Sequence, residues 1–511
     1  MFIFWLNLGF VWLPRMNKVA VVGGGMGGLA TAARLGKMGW SVEVFDLRDG
    51  PGGKNYQHPQ GDFRFDSGPS LLTMLEVFQE LFEFCGGKME NYFTPIPLDP
   101  LCHYWFDDGS HISTPGTTEA FIHKFSQAGW ASETELKNFF ARCKKLHGIA
   151  GTIFLEKSLQ EVSTFTSKEG LKSILGLPFI DAFRTLHQAH SRAFSDPRMV
   201  QLFDRYATYN GSDPYQAPAT LDIIPWVESH GGGWGVKEGI HALAQGLYKL
   251  GLEMGVKYHF NTPVDRIVSS KGVVQGLVVQ GLETSFDLVV SNADVITTYK
   301  LLGDEDAPWS KKYKTLEPSS SGFVYYWGMN KSFSNLGLHN IFFSQDYEKE
   351  FTQIFKEKII PEDPTVYINI TSKITPSDAL PGGENWFVLV NTPPHGQQNW
   401  KVLGEELKKS IIQRLKKTLG EDLESAIISE GTLSPEDIQN GTGSTFGSLY
   451  GLSSNSWNAA FNRHPNRSKR HKGLYFVGGS AHPGGGMPLV LLSARITSQL
   501  ISKYEKLQKE C

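Results

Sequence analysis

A glycine-rich turn near the start of the chain constrains the fold more than any other feature. The apolar run 19–22 is followed at once by Gly23, Gly25 and Gly28, then by small residues that favour a helix, and a second apolar alternation ends at Asp46. In such a strand–turn–helix–strand pattern the first glycine makes the tight turn, the second lets the backbone approach a pyrophosphate, and the third lets the helix pack closely on the strand. The stretch therefore predicts an adenine dinucleotide site.

Two neighbouring features strengthen this prediction. The helix that begins after Gly25 would offer free N–H groups and the positive end of its dipole to a phosphate. Asp46 follows Gly28 at close to the spacing of roughly 20 residues expected for the carboxylate that binds a ribose hydroxyl. A glycine motif by itself also occurs in ordinary turns, but a strand before it, a helix after it and the acid in place favour the nucleotide fold.

Length and composition exclude several classes of protein. The chain has 511 residues, of which 40% are apolar and 20% charged, so we expect an ordinary globular protein of two to four structural units. The net charge of −3 is spread along the chain and gives no reason to expect nucleic acid as a partner. Four cysteines without metal-ligand spacing predict no metal site and a reduced, cytoplasmic protein.

The first 15 residues lie outside the predicted nucleotide fold. They are apolar and aromatic, are too short to span a bilayer, and lack the basic start of a secretory signal. One interpretation is an upstream start codon, with Met16 as the true beginning. The other is a short interfacial anchor with its aromatic rings at the lipid headgroups.

Two further glycine-rich turns carry candidate site residues. Gly53 and Lys54 follow the second predicted strand and would suit a second phosphate, although a plain surface turn would look similar. Near the end of the chain, the strand 474–477 leads into a turn that contains Gly479, Ser480, His482 and Gly485, and a helix follows near Met487. Strand-to-helix glycine turns at opposite ends of the chain indicate one long cofactor held by both.

The middle of the chain is less regular. Phe179, Ala182, Phe183 and Leu186 have helical spacing, which is typical of a core stripe and would also suit a helix that touches a membrane. The segment 205–240 is dense in aromatic residues and glycine, as are segments that line pockets. The following aromatic side chains would line a tunnel for a long apolar molecule or belong to the ordinary core: Tyr206, Tyr209, Tyr215, Trp226, Trp234, Tyr325, Tyr326 and Trp327.

Together these motifs resemble the flavin-containing carotenoid desaturases of the bacterial phytoene desaturase type. The matching segments are 21–32, 44–54, 63–73, 235–240, 289–294 and 477–494, so the resemblance extends over most of the chain. The N-terminal motif is shared by many flavoproteins, whereas its combination with the C-terminal His-Pro-Gly stretch is specific. The segment 211–221 is most similar to members that act on coloured carotenoids, the hydroxyneurosporene-type desaturases.

The resemblance implies FAD as the cofactor. Gly23, Gly25 and Gly28 would meet its pyrophosphate, and Asp46 would hold the adenosine ribose where the family commonly has Glu. Lys54 stands where Arg is common, which keeps the charge and loses the bidentate fork. The stretch 479–487 would line the flavin, and Leu489 departs from a frequent Gly. The implied cofactor-binding residues are Gly23, Gly25, Gly28, Asp46, Gly53, Lys54, Gly479, Ser480, Gly485 and Met487.

The resemblance also implies the chemistry. Flavin would accept a hydride from a C–C bond beside a polyene, and because the remaining cation is delocalised, only a weak base is required. His482 is the best local candidate for a catalytic polar group, although a histidine satisfied by backbone in a turn is an equally good interpretation. Glu228 and Asp222 are weaker candidates. A carotenoid isomerase or saturase, an amine oxidase and a non-enzymatic flavin protein are the alternatives.

We therefore expect an α/β protein with a Rossmann-type FAD-binding domain and a discontinuous α+β substrate domain. The FAD-binding domain would comprise residues 16–75, 235–300 and 440–511, and the substrate domain residues 76–234 and 301–439. The substrate would be a long apolar polyene. Because such a molecule resides in lipid, we expect peripheral membrane association without a spanning helix, and an oligomer is compatible with the sequence.

Overall fold

The computed structural model describes residues 17–166, 170, 175–176 and 179–507, so the extension 1–15 lies outside the described residues. The strands, numbered along the chain, are β1 (Lys18–Val22), β2 (Ser41–Phe45), β3 (Gln57–Gln60), β4 (Phe63–Asp66), β5 (Pro95–Pro97), β6 (Cys102–Trp105), β7 (His111–Thr114), β8 (Trp234–Val236), β9 (Lys257–His259), β10 (Val264–Ser270), β11 (Val273–Val279), β12 (Leu282–Ser285), β13 (Leu288–Ser291), β14 (Ser321–Met329), β15 (His339–Phe342), β16 (Val366–Ile370), β17 (Glu384–Thr392), β18 (Ile427–Leu433) and β19 (Leu474–Phe476).

The helices are likewise numbered along the chain. They are α1 (Met26–Lys37), α2 (Leu75–Cys85), α3 (Thr118–Gln127), α4 (Glu133–Leu146), α5 (Thr152–Glu156), α6 (Val162–Thr166), α7 (Leu186–Ala193), α8 (Pro197–Asp204), α9 (Ile223–Gly231), α10 (Ala242–Glu253), α11 (Val295–Leu302), α12 (Pro308–Thr315), α13 (Tyr347–Thr352), α14 (Trp400–Leu419), α15 (Pro435–Thr442), α16 (Ala459–Asn462) and α17 (Met487–Tyr504).

One sheet has five parallel strands in the order β19-β13-β1-β2-β9. This sheet and the helices packed on it are called the first half of the molecule. Its strands come from the beginning, the middle and the end of the chain, so segments distant in sequence share one sheet. Helices α1, α2, α10 and α17 contribute to the apolar core beside it, which includes Val21, Leu29, Phe78, Leu247 and Leu491. Helices against a parallel sheet define the predicted Rossmann-type α/β fold, and this prediction is confirmed.

Another sheet has seven strands of mixed direction in the order β18-β14-β17-β16-β15-β6-β7. This sheet and the elements packed on it are called the second half of the molecule. Every residue of β14 is buried, so both faces of this strand are covered. Tyr325 and Trp327 pack with α14 in one core. Tyr326 faces the other way and packs with Phe65 and Phe387. Strand alternation therefore divides the aromatic run 325–327 between two environments, and Tyr325 and Trp327 belong to ordinary core.

One predicted element is wrong. The expected helical core stripe from Phe179 to Leu186 is not formed, because α7 begins only at Leu186. Leu186 is fully buried, whereas 62% of Phe179 and 86% of Phe183 are exposed. Spacing alone could not reveal this, since helical periodicity in a short apolar stretch does not specify what the stretch packs against. Across the described ranges, no helix has the length and apolar character needed to cross a membrane.

Candidate active site

The first glycine turn lies between β1 and α1. Gly23 has a φ of +97°, a backbone conformation that glycine adopts without strain. A Cβ on Gly28 would overlap the carbonyl oxygen of Gly23, which explains why the third glycine of the motif is needed for close packing. Helix α1 begins at Met26 and no side chain caps its N-terminus. Its first N–H groups are thus available to an anion, as the sequence predicts.

Asp46 lies at the end of β2 and faces the same turn. Its carboxylate accepts hydrogen bonds from the backbone N–H of Gly24, at 2.5 Å, and of Arg48, at 2.7 Å. The side chain is buried, and this burial raises the pKa of its carboxyl. Two backbone groups therefore already orient the carboxylate of Asp46. Its contact with a ribose stays a prediction.

The turn that contains Gly53 and Lys54 packs onto the first glycine turn. Gly52 donates its N–H to the carbonyl of Gly24 at 2.9 Å. The Nζ of Lys54 donates to Ser444 Oγ at 2.9 Å and to the carbonyls of Ser448 and Leu449 at 2.8 and 3.0 Å. Since these contacts use all three N–H donors of the ammonium, they favour a bracing role for Lys54 over the predicted phosphate contact.

Burial affects the Lys54 ammonium as well. It lowers the pKa of Lys54 to about 8, and the charge of Asp294 opposes this shift. Its three hydrogen bonds connect Lys54 to the segment 444–449, which lies almost four hundred residues later in the chain. The sequence signal for this tie is weak, because nothing local marks Ser444 as its partner.

The C-terminal turn lies beside the first one. Gly478, Gly484 and Gly486 have φ values of +104°, +130° and +109°. Helix α17 begins at Met487, again without a side-chain cap, and it packs against α1. Two uncapped helix N-termini therefore lie on adjacent helices of one core. The Oγ of Ser480 accepts the N–H of Val295 at 3.0 Å, so this predicted cofactor residue also holds the turn in place.

His482 lies within this turn and is almost completely buried. Its Nε2 lies 2.8 Å from the carbonyl oxygen of Lys157 and donates to it. Burial lowers the pKa of His482 to about 4, so the ring is neutral near pH 7. In the part of the chain that the structure describes, Nδ1 has no hydrogen-bond partner. The backbone contact favours the interpretation of a histidine satisfied in a turn, and a catalytic role stays a prediction.

Three residues of this site were not predicted from the sequence. Asn55 donates to the carbonyl of Ile240 at 3.1 Å, and its Nδ2 lies 3.6 Å from Met26 Sδ and 3.9 Å from Met487 Sδ, so it joins both glycine turns. Asn292 lies under the first turn, where a Cβ on Gly25 would be 2.8 Å from its Nδ2. Arg463 is buried against Gly484 and donates to Ser454 at 3.1 Å. Only Asn292, in a resemblance segment after β13, had a signal in the sequence.

These features fit a flavin dinucleotide. The turns from both ends of the chain meet, two helix N-termini are open to an anion, and glycines leave room where side chains would collide. Among the described residues, the Asn55 Oδ1 and His482 Nδ1 atoms are buried without a partner at this place. Such atoms are rare in folded proteins unless a ligand or water completes them.

The remaining candidates lie in the second half. Asp222 pairs with Arg142 and with His190, so its carboxylate is fully engaged within the fold. Glu228 accepts the hydroxyl of Tyr206 at 2.6 Å and that of Tyr209. Neither acid is in contact with the glycine turns, and Glu228 is part of a buried polar cluster.

Comparison with known proteins identifies the class. The family model of flavin-containing amine oxidoreductases matches residues 26–502. This chain belongs to that family, and its cofactor is FAD. Within the family its similarity is to carotenoid enzymes, so the predicted membership of the carotenoid desaturases is confirmed.

Three curated relatives show this similarity over nearly the whole chain. The 1-hydroxycarotenoid 3,4-desaturase of Flavobacterium sp. (strain P99-3) is 43% identical over 95% of this chain and 99% of its own length. The 4,4'-diaponeurosporene oxygenase of Staphylococcus aureus (strain MRSA252) is 33% identical over 96% and 99%. The 4,4'-diapolycopene oxygenase of Methylomonas sp. is 32% identical over 95% and 98%.

Solved structures share the fold at low sequence identity. A variant of putrescine oxidase superposes with a TM-score of 0.62 at 14% identity, covering 95% of this chain and 99% of its own. An oxidoreductase from Methanosarcina mazei superposes with a TM-score of 0.58 at 18% identity, covering 94% and 100%. These similarities support the fold alone.

Proposed function

We propose that this enzyme is an FAD-dependent desaturase of acyclic carotenoids that carry a hydroxyl group at one end. The observation that carries the proposal is the 43% identity, over 95% of this chain and 99% of the relative, to a 1-hydroxycarotenoid 3,4-desaturase. The meeting of both glycine turns supports it, because their glycines and uncapped helix N-termini suit a flavin dinucleotide.

The reaction would remove two hydrogens from a C–C single bond next to the polyene. Bound FAD supplies the hydride acceptor. The glycine turns and the two helix N-termini would bind and orient the cofactor. Loss of the hydride would leave a positive charge that the conjugated chain delocalises, and a weak base or water would then take the proton from the neighbouring carbon as the double bond forms.

Pigment analysis tests this proposal. Purified FAD-loaded protein would be mixed with a 1-hydroxylated acyclic carotenoid in liposomes, and the products separated by chromatography with mass detection. We expect a product that is lighter by two hydrogens and has a red-shifted spectrum. A product of unchanged mass would indicate an isomerase instead, and peroxide released from amines would indicate an amine oxidase.

We also propose that the enzyme binds the membrane surface peripherally. An exposed apolar group supports this, because Phe183 and Trp457 lie 5.7 Å apart with 86% and 60% of their surface exposed, and Phe461 is 48% exposed nearby on the chain. Large exposed aromatic patches are typical of interaction surfaces, and Trp and Phe suit the lipid interface.

Vesicle sedimentation tests the membrane proposal. Replacing Phe183 and Trp457 by Ser should reduce sedimentation with liposomes about 10-fold while leaving the fold intact, since both side chains are exposed. Leu282→Ser is the matched control, because Leu282 is 72% exposed on β12. Equal sedimentation of all three proteins would overturn the proposal.

A further inference from the structure

A buried arginine in the second half has hydrogen-bond donors that the fold does not use. Arg205 follows α8 and is 7% exposed. Its Nη1 makes one long contact, 3.4 Å, to the hydroxyl of Tyr209. Across the described ranges, Nε and Nη2 have no hydrogen-bond partner, and Glu228 Oε1 is 3.7 Å from Nη2. Glu228 balances the charge of Arg205, but the N–H groups on Nε and Nη2 have no acceptor among the described residues.

The surrounding rings hold the guanidinium in place. Its carbon lies 4.5 Å from the ring centre of Tyr206, and 5.2 Å from those of Tyr104 and Tyr209. The oxygens of Glu228 are occupied by the hydroxyls of Tyr206 and Tyr209. Cation–π contacts with three rings hold the planar cation without using its N–H groups. The Nε and Nη2 atoms of Arg205 are thus able to donate hydrogen bonds to a bound ligand.

The seven-stranded sheet contributes two more unpartnered groups. In the register of β6 and β15, Tyr104 lies opposite Ile341, and His339 precedes Ile341 by two residues, so Tyr104 and His339 share a face. Both are buried, and the hydroxyl of Tyr104 and the Nε2 of His339 have no partner in the described part of the chain. The charge of Arg205 acts on both groups, so all three lie in one region.

The protonation of His339 makes its free nitrogen a donor. Its Nδ1 lies 2.7 Å from the hydroxyl of Tyr367 and 3.2 Å from Nδ2 of Asn369, which donates to it. Burial, with a smaller effect of the Arg205 charge, lowers the pKa of His339 to about 3, so the ring is neutral. A neutral imidazole that accepts at Nδ1 holds its proton at Nε2. The region therefore presents N–H donors from Arg205 and His339 and the hydroxyl of Tyr104.

This group is called the arginine cluster and consists of Tyr104, Arg205, Tyr206, Tyr209, Glu228 and His339. Buried polar atoms without partners are costly, so four of them in one place call for a ligand that supplies oxygen. A hydrocarbon chain cannot do so, whereas an alcohol oxygen accepts two hydrogen bonds and donates one.

We propose that the arginine cluster binds the hydroxyl-bearing end of the carotenoid substrate. The inference rests on the proposed function and adds the residues that select the hydroxylated substrate. Arg205 and His339 would donate to the hydroxyl oxygen, and Tyr104 would exchange a hydrogen bond with it. The hydrocarbon counterpart would leave the donors unpaired, which is the most effective way for a site to reject an analogue.

Contacts connect this cluster to the cofactor site. The helical turn that carries Arg205 ends at Asn210, and the next residue, Gly211, packs so closely on Tyr450 that a Cβ would be 2.9 Å from its ring. The backbone of Tyr450 in turn lies against Gly485, where a Cβ would be 2.7 Å from Cα of Tyr450. The segment that carries Arg205 is therefore in packing contact, through Tyr450, with the C-terminal glycine turn.

The test compares substrates that differ only in the hydroxyl group. FAD-loaded Tyr104→Phe and wild-type protein would receive a 1-hydroxylated acyclic carotenoid and the otherwise identical hydrocarbon. We expect Tyr104→Phe to lower kcat/KM for the hydroxylated carotenoid about 10-fold and to leave the hydrocarbon unchanged. Binding measured by the shift of the polyene absorption should show the same selectivity.

Tyr258→Phe is the matched control, because Tyr258 on β9 also has a buried hydroxyl without a partner among the described residues but belongs to the first half. This variant should leave kcat/KM unchanged for both substrates. If Tyr104→Phe fails to accumulate, the pair Arg205→Met and Glu228→Gln, which removes both charges together, would be tested for the same selective loss.

The outcomes separate the two proposals. Equal effects on both carotenoids, as expected if water alone satisfies the cluster, would overturn the inference while the desaturase function stands. A wild-type protein that desaturates neither carotenoid would overturn the proposed function itself.

Discussion

Two buried polar clusters meet at consecutive residues, Asp204 and Arg205, and differ in how completely their hydrogen bonds are made. On one side, Asp204 accepts from His190 at 2.6 Å and from His187 at 2.7 Å, while Asp222 lies 2.7 Å from the other nitrogen of His190. This histidine network, which consists of Arg142, His187, His190, Asp204 and Asp222, leaves neither nitrogen of His190 free. The arginine cluster, on the other side, has four polar atoms without a partner among the residues that the structure describes.

The difference separates a structural network from a binding one. A buried network with every bond made fixes the packing of the helices that carry it. A buried cluster with open donors is strained until something completes it. Asp204 ends α8 directly before Arg205, and Asp222 directly precedes α9, which carries Glu228. We therefore infer that the histidine network holds the arginine cluster in position.

The largest expected effect comes from breaking the histidine network. His190→Leu would leave the carboxylates of Asp204 and Asp222 buried without their shared cation, so we expect a loss of about 3–5 kcal/mol in the free energy of unfolding. Denaturant unfolding monitored by fluorescence would measure it. The control is His123→Ala at an exposed position, expected to change stability by less than about 0.5 kcal/mol. A loss equal to that of the control would show that the network does not hold this region.

The same network predicts a pH dependence. Burial opposes the charge on His190, but the attraction of Asp222 and the hydrogen bonds to Asp204 outweigh it and raise the pKa of His190 to about 9. Because this pKa lies above that of an unfolded histidine, the stabilisation is complete below pH 6.5 and is lost as pH rises through about 9. Unfolding curves should show a decline of about 3 kcal/mol over this interval.

His190→Leu provides the control for this measurement. In the variant, most of the decline between pH 6.5 and 9 should disappear, because His190 no longer loses a proton. Any decline that remains is expected from His187, whose pKa the hydrogen bond to Asp204 also raises. A variant that declines as steeply as the wild type would assign the pH dependence to another group and contradict this account.

The smallest effect concerns single hydroxyls on the two faces of the seven-stranded sheet. The hydroxyl of Tyr325 donates to the carbonyl of Gly404 at 2.6 Å, so Tyr325→Phe should cost about 1 kcal/mol. The hydroxyl of Tyr104 makes no such bond among the described residues, and Tyr104→Phe should change stability by less than about 0.5 kcal/mol. Thermal unfolding would compare them, and a larger loss in Tyr104→Phe would show that its hydroxyl is already satisfied.

The sequence predicted the first half of the molecule better than the second. The glycine turns, β1, α1 and β2 carry their signal locally, because each glycine answers a steric requirement of neighbouring backbone, as at Gly28.

The second half depends on contacts between distant segments. Nothing near Arg205 indicates that Tyr104 and His339, from β6 and β15, lie in the same region. The tie from Lys54 to Ser444 and the exposure of Phe183 were unpredictable on the same grounds. Periodicity reports that a side chain is apolar or polar, but the partner that completes it is set by the topology of the fold.

The most direct test of the central claim is a competition between two substrates. Wild-type FAD-loaded protein would receive equal amounts of a 1-hydroxylated acyclic carotenoid and its hydrocarbon counterpart, with products followed by chromatography and mass detection. We predict that the hydroxylated carotenoid is desaturated about 100-fold faster or more, because only its hydroxyl group accepts the hydrogen bonds offered by Arg205 and His339. Equal rates of desaturation would contradict it.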